Sequence, residues 1–192
     1  MLRTHLKGTG EMTRKSMWTL VALLSGAAIA TTGVAGTADG ATRPRSAAAS
    51  APACLKSQLE ARLYDAGLVG AGNAGTMVTI TNTSTTTCEI SGYVVPEMQN
   101  PDYPDLPTYP QNGSTYFNDD PGVHPVRLSP GERASCVMAW GNGDSSDGVL
   151  PKTLWLWLPS DTDHYLTVPF TPGYVRAGRI TVSALAAHTP LH

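Results

Sequence analysis

Beyond Cys54 the sequence has no stretch with a sustained helical period and no cluster of lysine or arginine. The first absence argues against a helical core. The second excludes nucleic acid and an anionic membrane surface as partners, because both demand a basic patch. Over the whole chain 15 acidic residues outnumber 13 basic ones. Also missing are the G-x-S-x-G elbow of a serine hydrolase, the closing glutamate of a calcium-binding EF-hand, and any zinc or copper spacing among the histidines. No residue set has the spacing of a known catalytic or metal chemistry. The reading is therefore no catalytic residue, no metal, no cofactor and no enzyme.

What is present begins with a targeting pattern. Arg3, Lys7, Arg14 and Lys15 precede the apolar stretch Met17 to Ala30, and small residues follow. This is the layout of a signal peptide over residues 1–38, with Met12 as an alternative start and an uncleaved anchor as the competing reading. There is no twin-arginine pair, and no cysteine close behind the apolar run to carry a lipid. The expected location is the medium or the cell wall, with no stable membrane insertion after cleavage. Residues 39–53, DGATRPRSAAASAPA, lack an apolar period and read as a disordered linker. Residues 54–192 are then one domain.

Within that domain short alternating runs recur between Gly, Pro, Asn and Asp. They are Leu59 to Asp65, Thr76 to Asn82, Glu89 to Val95, Val126 to Leu128, Ala134 to Trp140, Thr153 to Leu158, Tyr165 to Phe170 and Arg179 to Leu185. About eight short strands with turn signals between them predict an all-β antiparallel sandwich or barrel. A short helical turn fits Lys56 to Gln58. In Thr76 to Asn82, Val78 and Ile80 would face the core. From Gln99 to Pro125, prolines, tyrosines and aspartates replace the alternation, so this segment reads as a long loop crossing one end of the fold. Three cysteines, Cys54, Cys88 and Cys136, allow three pairings. A Cys54–Cys88 bridge would pin the start of the domain to the sheet and contribute about 4 kcal/mol. Cys136, alternating with Met138 and Trp140, would then be a buried core thiol.

Several of these segments carry a family resemblance. With Asn82-Thr83-Ser84, Cys88-Glu89-Ile90-Ser91-Gly92-Tyr93, Leu128-Ser129-Pro130-Gly131, Ala134-Ser135 leading to Trp140, and the Leu154 to Pro159 strand, the chain resembles the secreted actinobacterial family known as domain of unknown function 4232. Val94 stands where that family has a proline after Gly-Tyr. The resemblance implies an immunoglobulin-like sandwich exported to the envelope or medium. It brings no catalytic residues.

The remaining motifs are weighed on their chemistry. Gly70-Ala71-Gly72-Asn73-Ala74-Gly75 matches G-x-G-x-x-G, but a dinucleotide loop needs a helix behind it and a β-branched strand follows, so a hairpin loop is expected. Ser160, Asp161, Asp163 and His164, and His124 near Asp119 and Asp120, supply hydrolase side-chain types without a converging nucleophile, base and oxyanion site. Asn142, Asp144 and Asp147, like Asn118, Asp119 and Asp120, offer calcium oxygens but read as Asx turns. Asn82-Thr83-Ser84 and Asn112-Gly113-Ser114 are formal glycosylation sequons and, in a bacterial chain, ordinary turns.

Leu154-Trp155-Leu156-Trp157-Leu158 is the most suggestive run. Period-two alternation puts the leucines on the core face and both tryptophans on the outer one. Either the tryptophans are covered, by the loop bearing Tyr103, Tyr109, Tyr116 and Phe117 or by the linker, or they form a binding surface with those tyrosines. The leading expectation is a non-enzymatic secreted or envelope-associated module for an unknown macromolecule, polysaccharide or protein. The alternatives are a small secreted hydrolase using His164 or His124, and a structural spacer without ligand.

Overall fold

A computed structural model describes residues 50–64 and 67–192. The signal peptide and the linker up to residue 49 lie outside the described residues, as does Asp65. The described residues form thirteen strands and one short 3-10 turn at Lys56–Gln58. The strands are β1 Leu59–Tyr64, β2 Val69–Gly70, β3 Asn73–Asn82, β4 Cys88–Ile90, β5 Val95–Gln99, β6 Tyr109–Asn112 and β7 Val126–Leu128. They continue with β8 Arg133–Gly141, β9 Gly148–Val149, β10 Thr153–Leu158, β11 Asp161–Pro169, β12 Val175–Arg176 and β13 Arg179–Val182.

The result is an all-β sandwich. One sheet has the order β1-β3-β8-β13-β6, with β2 against β3; the other has the order β11-β10-β5. Two ribbons, β4-β7 and β12-β9, complete it. All pairs are antiparallel except β13 with β6. The core lies where Val78 and Ile80 of β3, Cys136 and Met138 of β8 and the three leucines of β10 are buried together. Period two therefore works as expected: Leu154, Leu156 and Leu158 point inward, while Trp155 and Trp157 are half-buried.

Thirteen strands replace about eight for identifiable reasons. The run Glu89 to Val95 is broken at Gly92, whose φ of 98° is a left-handed conformation that glycine adopts without a Cβ penalty. β4 then belongs to a ribbon and β5 to the second sheet. Pro96 has no N–H for a ladder and sits in β5, an edge strand where that costs nothing. The expected C-terminal strand stops at Val182: Ser183 N still donates to Val137 O at 3.0 Å, but the return bond goes to the Ser183 side chain and the following amide leaves the ladder. Val137 N donates to Ser183 Oγ at 3.0 Å, Ala184 N donates to Asp120 Oδ1 at 2.7 Å, and pairing resumes between Ser135 and Ala186. The segment expected as one long loop contains β6, a fully exposed edge strand running parallel to β13. The glycine-rich motif closes the β2–β3 hairpin, with Ala71 and Gly72 both at positive φ, the backbone of a type I′ turn.

Cys54 and Cys88 are joined, and Cys136 is free and buried. Burial pushes the Cys136 thiol up to about 12. A thiol so protonated and enclosed does not act as a nucleophile. Folded protein is thus expected to resist alkylation by iodoacetamide at pH 8, and urea-unfolded protein to take up the label at Cys136. Labelling of the folded state would contradict the packing.

Candidate functional site

The outer face of the β11-β10-β5 sheet is built by register. Trp157 stands between Val95 and Tyr165, and Trp155 between Glu97 and Thr167. Tyr165 leans between the tryptophans: its ring stacks on Trp155 at 4.4 Å and 18°, and meets Trp157 edge-on at 4.9 Å and 61°. Such offset and edge contacts fix three large rings as one unit. On the β5 side, Trp157 Nε1 donates to Glu97 Oε2 at 2.9 Å, and Gln99 Nε2 donates to Glu97 Oε1 at 2.8 Å. The face therefore combines an aromatic cluster with a carboxylate held by two neutral donors.

The expected tyrosines do not join this cluster. Phe117 packs with Leu68, Val137 and Ala139 on the outer side of the other sheet, and carries Tyr116 there against Gly70. Tyr109 is in β6 at that sheet's edge. Tyr103 lines a recess with Leu106, Val149 and Tyr174 beside the β9 ribbon. All three are more than half exposed. Hence the loop anchored by Phe117 covers the opposite sheet, and the ring contacts of Trp155 and Trp157 among the described residues are with Tyr165. Tyr165, Glu97 and Gln99 were missed because cross-strand neighbours are a matter of register, which the sequence does not spell out.

The other motifs are mostly structural. Asn82 is fully buried: its Nδ2 donates to Thr86 O at 2.8 Å and Leu128 O at 2.9 Å, and its Oδ1 accepts from Ser84 N at 3.0 Å and Ser84 Oγ at 2.8 Å. Tyr93 O–H donates to Asp120 Oδ2 at 2.6 Å. Together with the Ala184 contact, this ties the Gly-Tyr motif, the long loop and the C-terminal segment together. The same bond to Asp120 raises the Tyr93 pKa, since ionisation would place two anions in contact.

His164 and Asp161 do meet, Nδ1 to Oδ1 at 2.6 Å, and this bond, with the Lys56 amide at 3.0 Å, lowers the Asp161 pKa. Ser160 points away, donating its hydroxyl to Cys54 O at 2.8 Å. His124 Nδ1 lies 3.0 Å from Gly122 O. Asp144 accepts from the hydroxyl and amide of Ser146, which lower its pKa, and Asp147 pairs with Arg176 at 3.2 Å. Among the described residues no three His, Cys, Asp or Glu side chains converge as metal ligands.

A family model described as Domain of unknown function (DUF4232) matches residues 54–186. No curated protein and no solved structure matches the chain.

Proposed function

The chain belongs to the DUF4232 family, whose description assigns no activity, and from that premise we propose that it is a non-enzymatic module, exported to the medium or cell envelope, that binds a macromolecule on the outer face of the β11-β10-β5 sheet. The observation that carries this reading is the Trp155–Tyr165–Trp157 cluster beside Glu97 on an outward sheet face. Paired indoles on an outward face are costly to keep in water, and such rings dominate recognition surfaces. Export is supported by the basic and apolar N-terminal stretch. Polysaccharide and protein are the two ligand classes such a face suits.

Trp155→Ala and Trp157→Ala are each expected to weaken binding at least about tenfold. Each should cost about 2 kcal/mol of stability, for half-buried ring area and one aromatic pair. Leu156→Ala, in the core strand position between them, is expected to cost about 3 kcal/mol or more. The checks are affinity electrophoresis through polysaccharide gels, pull-down of envelope proteins and urea denaturation. Tryptophan variants as unstable as Leu156→Ala would make the indoles core residues and remove the site.

A second reading, a small hydrolase, has the Asp161–His164 contact in its favour. Ester or glycan hydrolysis abolished by His164→Ala would establish it.

A further inference from the structure

We infer that the outer face of the β11-β10-β5 sheet recognises an arginine side chain presented by a partner polypeptide, with Glu97 as the anchoring carboxylate and the Trp155–Tyr165–Trp157 cluster as its wall. This rests on the binding reading above and names the ligand chemistry. β5, β10 and β11 carry Glu97, Asp161 and Asp163 and not one lysine or arginine. Asp161 is occupied by His164 and the Lys56 amide, and Asp163 shares a recess with Lys56. Lys152, just before β10, pairs with Asp102. Among the described residues no ion pair takes Glu97.

The two donors on Glu97 are an indole N–H and an amide N–H, both neutral, so its charge is held in place but not cancelled. A carboxylate offers about four lone-pair positions, two on each oxygen. Trp157 uses one on Oε2 and Gln99 one on Oε1, which leaves one open on each oxygen. That is the requirement of a forked guanidinium, which makes two parallel N–H···O bonds. Trp155 is directly opposite Glu97 in the ladder, so a guanidinium docked there has within reach the one indole face that Tyr165 leaves uncovered, over which a cation is attracted. One face of Trp155 is covered by Tyr165 at 4.4 Å, so a sugar ring and a guanidinium have the same face left to them, and the uncancelled charge of Glu97 favours the cation.

The test titrates the tryptophan emission of the full chain with an acetylated, amidated nonapeptide bearing three arginines in a Gly/Ser background. Its lysine and citrulline counterparts run alongside. The expected result is a saturable response to the arginine peptide that weakens with salt, a smaller one to lysine and none to citrulline. Glu97→Gln, which keeps shape and removes charge, should raise the arginine-peptide Kd at least tenfold with an unchanged melting temperature. Equal response to the citrulline peptide, or unaltered affinity in Glu97→Gln, overturns the inference. If the peptide is silent but a polysaccharide binds in a Trp155-dependent manner, this inference falls and the binding reading stands. Silence on both panels overturns both.

Discussion

Replacing both cysteines of the Cys54–Cys88 bridge with alanine is expected to lower the unfolding free energy by about 4 kcal/mol, the loop-closure entropy for a separation of 34 residues. The bridge is the one covalent tie at this end of the domain, beside hydrogen bonds from Ser160 Oγ to Cys54 O at 2.8 Å and from Lys56 N to Asp161 Oδ2 at 3.0 Å. The segment before β1 pairs with β4 through one isolated bridge, with Cys54 N on Glu89 O at 2.9 Å and Glu89 N on Pro52 O at 2.8 Å. β4, which carries Cys88, is three residues long and pairs only with β7. Both cysteines are fully buried, so their truncation adds a packing cost. Urea unfolding of oxidised, reduced and Cys54→Ala/Cys88→Ala protein measures the difference. The unbridged forms should show a lower midpoint and a steeper denaturant slope, because the unfolded chain is then free to expose more surface. A loss below about 1 kcal/mol would mean that these hydrogen bonds hold the segment without the disulfide.

How far the sequence reaches depends on whether a feature is local. β7 and β10 have the expected boundaries, because each is an unbroken alternation with one face in the core. β2, β9 and β12 are two residues long and have no period to read. β6 contains Pro110 and four exposed residues, so only its placement beside β13 makes it a strand. The same division runs through the site. That Trp155 and Trp157 share the outer face follows from residue spacing alone. That Tyr165 fills the space between them, and that Glu97 takes the Trp157 N–H, follows from the pairing of three strands distant in sequence. Grouping Tyr103, Tyr109 and Tyr116 by their nearness along the chain fails for the converse reason. The buried Phe117 ring fixes Tyr116 on the opposite sheet, β6 holds Tyr109 at that sheet's edge, and Tyr103 lies apart beside the β9 ribbon.

Substituting Asn82 is the sharpest test of the packing between the end of β3 and the turn that opens β8. Its side chain makes four hydrogen bonds and none of its surface reaches solvent. Its backbone closes the same junction, with Asn82 N on Glu132 O at 2.9 Å and Gly131 N on Asn82 O at 2.8 Å. Asn82→Ala takes the donor from the Leu128 and Thr86 carbonyls and the acceptor from the Ser84 amide; Thr86 O keeps the Ser84 hydroxyl at 3.1 Å, so Leu128 O is the fully buried group among them. At about 1 to 3 kcal/mol for the buried carbonyl left unpaired, and about 1 kcal/mol for the bonds lost at the more exposed Thr86 and Ser84, a loss of about 2 to 4 kcal/mol is expected. Asn82→Asp should be worse still at neutral pH, because one carboxylate oxygen would face two carbonyl oxygens where an NH₂ now donates. Protonation restores a donor, so the folded variant holds its proton more tightly than the unfolded chain. Its stability therefore rises as pH falls through the carboxyl range, opposite in sign to a salt-bridged aspartate. Urea midpoints of the native protein, Asn82→Ala and Asn82→Asp between pH 7 and pH 4 check this. An Asn82→Asp variant that stays as stable as the native protein at pH 7, or gains nothing on acidification, would mean that the junction opens to water and that the Thr-Asn-Thr turn is not what holds β3 to β8.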